Sequence, residues 1–148
     1  MPTSANFLGS PEPGQGSVIL QLAKGTSAGI TKGDLCTLTS DKWVTAPAAA
    51  TAGPYAVALE TAATATTTIK LLLKGIVYVT ADGTIAPNSP VKNATATAGQ
   101  VIAAAVPTDS YSHIVGIYLG HENEGDGKTI PTSAADGDVI RILLGGAP

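Results

Sequence analysis

The sequence predicts an all-β protein: a small β-barrel or β-sandwich domain over residues 17–148, preceded by an extended N-terminal arm over residues 1–16. Short apolar runs rich in β-branched and aromatic residues recur along the chain, and Gly, Pro, Asn or Asp bounds most of them, which is typical of strands. The connectors between the runs contain alanine but also Pro, Gly and many threonines. No helical apolar period persists over roughly ten residues. Short strands separated by turn residues favour a barrel or a sandwich.

The arm is predicted from its prolines and glycines, which prevent regular packing as helix or strand. Phe7 and Leu8 are the apolar exception within it, and Phe7 is the only phenylalanine of the chain. This pair either folds back on its own domain or anchors the arm onto another chain as the arm becomes ordered. Pro11 and Pro13 would lower the entropic cost of ordering, because they stiffen the free chain.

Strands are predicted over seven stretches after the arm: 17–23, 34–39, 55–60, 67–83, 100–106, 113–120 and 138–145. The stretch 67–83 has the strongest pattern, with Ile69 and Leu71 on one face and Lys70 and Lys74 on the other. Gly75 breaks the phase of that alternation, which indicates a bulge or a barrel corner. No exact internal repeat is visible.

The composition limits the classes of function. Charged residues make up 13% of the 148 residues, about half the usual ~25%, and a surface this poor in charge is often covered by a partner. The net charge of -3 does not favour nucleic acid, which binds to basic faces. No run approaches the ~18 apolar residues of a membrane span, and the first residues do not resemble a signal peptide. We therefore expect a soluble protein of a reducing compartment, or one released by lysis, with no nucleic-acid or membrane partner.

The stretch "GHENEGDGKT" (120–129) holds most of the residues that could perform chemistry. It ends like a phosphate-binding loop, but the first glycine of that motif would stand where Glu122 stands. Glu124 and Asp126 would also repel a phosphate. His121 and these three carboxylates could bind a metal, yet their spacing matches neither a calcium loop nor a zinc site. We expect a solvated hairpin loop, with no metal and no cofactor.

Other candidate catalytic residues give weaker signals. The single cysteine, Cys36, lies in an apolar run, where a buried thiol is usually inert. His113 opens a predicted strand, and Asp109, Asp136 and Asp138 fall in turns, where aspartate accepts bonds from backbone amides. No nucleophile elbow occurs. Asn93 begins a glycosylation sequon, which is expected by chance in a threonine-rich chain. The sequence predicts that the protein is not an enzyme.

Trp43 is the only tryptophan, and it lies beside charged and turn residues in "SDKWVTAP". Core packing is the default interpretation, but a large aromatic near a loop is also a frequent interface residue. The residues predicted to lie at an interface with another chain are Phe7, Leu8, Pro11, Pro13 and Trp43.

Five segments occur in an order that resembles a known family. They are "KGDL" (32–35), "PYAVALE" (54–60), "LLLKGIVYVTADGTIAPNSPVK" (71–92), "IVGIYLG" (114–120) and "GDVIRILLGG" (137–146). Taken together, they resemble the capsid cement, or head-decoration, proteins of tailed bacteriophages. The resemblance covers roughly residues 25 to 146 and does not include the loop at 120–129.

The resemblance implies a small β-barrel or β-tulip-like domain and a non-enzymatic structural protein of the virion. Such proteins are commonly homotrimers on the outer surface of the assembled head, where they bind the major capsid protein and stabilise the lattice. Their extended N-terminal arm often contacts the capsid. Two alternatives remain: a small β module of a phage tail or baseplate that binds carbohydrate, and a metal-dependent enzyme that uses residues 121–126.

Overall fold

The computed structural model describes residues 17–49, 52–105, 109, 111–121 and 130–145. The described residues form nine β-strands and one short 3-10 turn, Tyr111–His113. The strands are β1 (Val18–Ala23), β2 (Leu35–Thr39), β3 (Lys42–Thr45), β4 (Tyr55–Ala58), β5 (Thr68–Thr80), β6 (Pro90–Asn93), β7 (Val101–Ala103), β8 (Ile114–Gly120) and β9 (Val139–Leu144). They form one curled antiparallel sheet, a half-barrel, and the predicted all-β class is confirmed.

The long strand β5 belongs to both halves of the sheet. Its first part, up to Lys74, pairs with β1 and β4, whereas its second part, from Gly75, pairs with β9. Gly75 has a φ of 131° and lies where these neighbours change. The bulge predicted there is displaced, because the register irregularity falls at Leu73, which has no partner between the pairs Val18–Lys74 and Ile19–Leu72.

The two halves have the same strand order, although the sequence shows no repeat. The first unit (residues 17–74) has the order β1-β5-β4-β2-β3, and the second unit (residues 75–145) has the order β5-β9-β8-β6-β7. Both units therefore place their strands in the same order across the sheet: first, fifth, fourth, second and third along the chain.

The edge strands of each unit meet at an equivalent point. A parallel bridge joins Lys24, directly after β1, to Trp43 in β3, and another joins Ala81, directly after β5, to Val101 in β7. The next amide in each unit donates to the same edge strand: Gly25 N–H to Trp43 O at 2.9 Å and Asp82 N–H to Val101 O at 2.8 Å. These contacts curl each unit on itself.

The connectors are also equivalent. Ile30 exchanges both backbone hydrogen bonds with Ala62 in the first unit, and Ile85 exchanges both with Ala134 in the second. The cross-strand pairs also match. In each unit, one residue from each of four neighbouring strands pairs with the next across the sheet: Ile19, Leu72, Val57 and Leu35 in the first unit, and Ile76, Leu143, Ile117 and Pro90 in the second. The chain is thus built from two copies of one five-stranded unit.

The core has two clusters because both faces of the first unit are covered. An inner cluster of the first unit contains Cys36, Trp43, Ile69 and Leu71. A larger cluster combines the inner face of the second unit with the outer face of the first, including Leu35, Val57 and Leu72. This explains why β5 reads "IKLLL": Leu71 and Leu72 point to opposite faces and are both fully buried.

The turn between β6 and β7 fastens the second unit onto the first. Leu35 N–H donates to Gly99 O at 2.8 Å, and Gly99 N–H donates to Ala46 O at 3.0 Å. Asn93 Nδ2 donates to Pro47 O at 2.9 Å and to Ala49 O at 2.7 Å. The connector that follows β3 in the first unit therefore covers the end of β6 in the second.

Candidate functional site

Three exposed apolar residues face the inner cluster of the first unit: Val18 and Leu20 of β1 and Leu38 of β2. They are 40%, 46% and 39% exposed, and we call them the β1 patch. Alternation along a strand places Leu20 on the same face as Leu22, and Leu38 on the same face as Cys36. Leu22 and Cys36 belong to the inner cluster of the first unit, so the patch is the mouth of that cluster.

The patch exists because β1 is an apolar strand that lies at one side of the sheet. Among the described strands, β1 pairs in the sheet ladder with β5 alone, and it approaches β3 through the bridge at Lys24. Ile19, on the opposite face of the strand, is 43% exposed. An exposed apolar strand at a sheet edge is a site where another chain segment can add.

One positive charge borders the patch. Lys74 pairs with the patch residue Val18 across the β1–β5 ladder and is exposed. Lys70 pairs with Gln21, so alternation places it on the opposite face of β5 from the partner of Leu20. A segment that covers the patch would be favoured if it carried an acidic group and no basic one.

None of the residues that the sequence predicted to form an interface belongs to the β1 patch. Phe7, Leu8, Pro11 and Pro13 lie outside the described residues. Trp43 is 6% exposed and packs in the inner cluster of the first unit, which is the core packing that we took as the default. Its role at an interface stays a prediction.

A cluster of polar side chains lies at the start of residues 120–129, the stretch that holds most of the residues that could perform chemistry. His121 directly follows β8 and is 7% exposed; residues 122–129, with the predicted metal-binding carboxylates, lie outside the described residues. His121 Nε2 lies 2.9 Å from Asp138 Oδ2, and its Nδ1 lies 3.4 Å from Thr132 Oγ1. Tyr118 OH donates to the Thr132 carbonyl at 2.6 Å. The cluster thus ties the end of β8 to the residues that precede β9.

Asp138 has two partners that stabilise its charged form. The Ala135 amide donates to its carboxylate at 2.9 Å, and His121 faces the same oxygen. The Ala135 hydrogen bond and, after it, the His121 contact hold the pKa of Asp138 below its usual value. Asp109 resembles it, because the Ala105 amide and then Lys92 lower its pKa. Both aspartates therefore bind backbone amides in turns, as predicted.

The arrangement Thr132–His121–Asp138 has the order of a catalytic triad, but its geometry indicates a structural role. The Thr132–His121 separation of 3.4 Å exceeds the ~3.2 Å expected of a nucleophile and its base. Both ring nitrogens of the buried imidazole face protein groups. Within the described ranges, no three His, Cys, Asp or Glu side chains are grouped so as to hold a metal ion.

Cys36 and Asn93 also lie in surroundings that suit packing. Cys36 is fully buried, and burial together with the nearby Asp34 carboxylate raises the pKa of the thiol to about 12. Asn93 of the sequon is 2% exposed, and its amide binds the connector of the first unit. A glycan could not attach there without separating the two units.

Lys24 is a buried charge that the sequence did not reveal. Its side chain is fully buried, and the carbonyls of Gly25, Ala28, Thr64 and Thr66 lie 2.8–3.3 Å from Nζ and share its three N–H donors. The ammonium joins the connector after β1 to the connector before β5. A lysine at the end of a strand normally indicates an exposed position, so no pattern in the sequence signals this burial.

Aromatic side chains do not form an exposed platform in the part of the chain that the structure describes. Trp43, Tyr78 and Tyr118 are buried, and Tyr55 is half-buried. Carbohydrate modules usually stack sugars on exposed rings, so the alternative of a carbohydrate-binding module gains no support here. Nor do the described residues contain a helix with the length and apolar character of a membrane span.

Comparison with known proteins gives one informative likeness. No protein-family model matches the chain, and no curated protein matches it in sequence. Among solved structures, the head fiber gp8.5 N base of bacteriophage phi29 has a TM-score of 0.56 at 13% identity, and the match covers 86% of this chain and 93% of that one. The chain is therefore similar in fold to the base of a phage head fibre.

Proposed function

We propose that the chain is a structural protein of a phage virion, a capsid decoration (cement) protein that binds the outside of the assembled head and stabilises it. The observation that carries the proposal is the fold likeness to the head-fibre base, which extends over most of both chains. The ordered series of segments that resembles decoration proteins supports the same conclusion independently. The virion is then its location after synthesis in the host cytoplasm.

The role requires no catalysis, and the polar clusters suit that. His121, Asp138 and Tyr118 bind one another or the backbone around the base of one segment. Cys36 is buried, with a thiol pKa of about 12, and does not form a nucleophilic thiolate near neutral pH. We propose that the protein is not an enzyme and needs no cofactor.

The partners that we propose are the major capsid protein and further copies of the chain, as a homotrimer. The low charge of the sequence suits a surface that is largely covered on the shell. Repeated copies on one shell would add avidity to weak individual contacts. The arm, with Phe7 and Leu8, is the proposed anchor onto the shell.

Co-sedimentation tests the proposal directly. Purified protein is mixed with expanded shells of the matching major capsid protein, and the pellet is measured alongside shells alone and protein alone. The proposal predicts saturable binding at a fixed ratio to capsid subunits and a higher temperature of shell disruption. Protein that stays in the supernatant at every ratio contradicts it, and binding to a glycan array instead would support the carbohydrate module.

A further inference from the structure

The internal duplication provides a reference for the surface of the first unit. Equivalent residues in the two units have the same strand neighbours. A difference in their burial therefore shows where a segment covers one unit and not the other. Leu20 and Leu38 of the β1 patch correspond to Val77 and Asn93 in the second unit by the paired register. Val77 is fully buried and Asn93 nearly so, whereas Leu20 and Leu38 are exposed.

The covering group in the second unit is visible. Asn93 is covered by the segment around Pro47 and Ala49 of the first unit, an uncharged stretch rich in alanine and proline. The first unit offers a corresponding place at Leu38. The side chain of Leu38, unlike that of Asn93, has no amide group to donate a hydrogen bond. The surface at Leu38 therefore suits an apolar segment.

A second copy of the chain cannot cover Leu38 by repeating the contact that the two units make within one chain. That contact needs the Leu35 amide, which donates to Gly99 O. The corresponding residue in the second unit is Pro90, which has no amide hydrogen. The turn corresponding to 94–99 is also shortened to Ser40 and Asp41 between β2 and β3. The contact that joins the units therefore cannot continue from one copy to the next.

We propose that the β1 patch is an interaction surface for residues 1–16 of the same chain, which lie along β1 and bury Phe7 and Leu8 at the mouth of the inner cluster. The described chain begins at Ser17, beside the patch residue Val18. A turn in the Pro-Gly-Gln-Gly sequence of residues 13–16 sends the preceding residues back antiparallel to β1. The seven residues from 7 to 13 then span about 23 Å, enough to run along the ~20 Å of a six-residue strand.

The chemistry of the segment matches the surface. Residues 1–16 contain three prolines and one charged side chain, Glu12, and thus resemble the uncharged segment that covers Asn93. Glu12 is opposite in sign to Lys74, which borders the patch at Val18. Phe7 and Leu8 supply apolar side chains that would cover the exposed Leu20 and Leu38. The proposal concerns the free protein and does not depend on shell binding; to act as the anchor onto the shell, Phe7 and Leu8 would have to leave the β1 patch.

Nuclear magnetic resonance of the full-length chain tests the proposal with a matched pair of variants. Leu20→Thr and Ile19→Thr replace neighbouring residues of similar size and exposure on opposite faces of β1. We expect Leu20→Thr, but not Ile19→Thr, to shift the amide resonances of residues 7 and 8. Amide exchange in that segment should become roughly tenfold faster or more. Leu38→Asn, which introduces the residue found in the second unit, should act like Leu20→Thr.

The reciprocal change is Phe7→Ser combined with Leu8→Ser. It should shift the resonances of Val18, Leu20 and Leu38 and leave those of the second unit unchanged, equally at low and high protein concentration. The proposal is overturned if Ile19→Thr and Leu20→Thr act alike, or if the double variant leaves the patch unchanged. It is also overturned if the shifts grow with concentration, since the segment would then come from another copy.

Discussion

His121 Nε2 lies 2.9 Å from Asp138 Oδ2, and this contact joins the end of β8 to the turn that leads into β9. The same carboxylate accepts the Ala135 amide. A group with a lowered pKa stabilises the fold in its charged form, so acid weakens the structure at this point.

The acid sensitivity of the fold should depend on Asp138. The folded-state pKa is below the ordinary value of 3.8, so its contribution is complete above that value and is lost as the pH falls through the lower pKa. In urea titrations from neutral pH to about pH 2, Asp138→Asn should lose less unfolding free energy than the wild type. Asp136→Asn, exposed in the same turn, is the control and should behave like the wild type. Parallel pH profiles for all three proteins would contradict the role assigned to Asp138.

Replacing Lys24 by methionine should destabilise the protein strongly. The substitution keeps most of the side-chain volume but removes the three N–H donors that four carbonyls share, and an unpaired buried acceptor costs about 1–3 kcal/mol. We expect a loss of about 3 kcal/mol or more in denaturant unfolding. Lys70→Met, at an exposed position of β5, should change stability by less than about 0.5 kcal/mol. Similar small effects of both variants would show that the Lys24 contacts add no net stability.

Gly116 should not accept even a methyl group. A Cβ at this position would collide with the Leu143 carbonyl oxygen of the neighbouring strand β9, so β8 and β9 would have to separate. We expect Gly116→Ala to lower the free energy of unfolding by about 2 kcal/mol or more. Gly137→Ala is the control, since its φ is +85° but no atom lies within 4 Å of its Cβ; there the cost is backbone strain alone, about 1–2 kcal/mol. A smaller effect at Gly116 than at Gly137 would contradict the close approach of the strands.

Cys36 should resist alkylation in the folded protein. Its thiol is buried, and a pKa of about 12 leaves almost no thiolate at neutral pH. Iodoacetamide at mildly alkaline pH should modify it only as fast as the protein opens, and mass spectrometry should find complete modification in denaturant. Rapid modification of the native protein would show that the inner cluster is accessible.

Deleting residues 1–16 should leave the domain folded, because both core clusters are formed by later residues. It should expose the β1 patch, increase the binding of a hydrophobic dye and, if the proposed function holds, weaken attachment to shells. Circular dichroism, dye fluorescence and co-sedimentation measure the three effects separately. Loss of the folded signal would mean that residues 1–16 belong to the core.

The strand prediction was accurate where a strand shows its character locally. Six of the seven predicted stretches contain one described strand at nearly the expected limits, and the seventh, 67–83, contains β5 at 68–80. The sequence did not reveal β3 and β6, because each has four residues and lies beside turn residues or begins with proline. Each is held in place by a hairpin partner, which a local pattern does not show.

The candidate site was less predictable. Of the two aromatic residues that suggested an interface, Trp43 is buried and Phe7 lies outside the described residues. The residues of the β1 patch, Val18, Leu20 and Leu38, stand in strands with ordinary alternation. Alternation shows that two residues share a face, but not whether another element covers that face.

By itself, the sequence determined the all-β class, the positions of the longer strands and the two faces of each. These depend on backbone preferences and on the spacing of apolar residues, which act over a few neighbours. Only the tertiary structure decided that residues 17–74 and 75–145 repeat one strand order, that Lys24 is buried, and that one unit covers the other. These properties depend on pairings between residues far apart in the chain, such as Ile30 with Ala62 and Ile85 with Ala134. Backbone hydrogen bonds make such pairings with almost any side chains, so the two units kept the same pairings without keeping a visible sequence repeat.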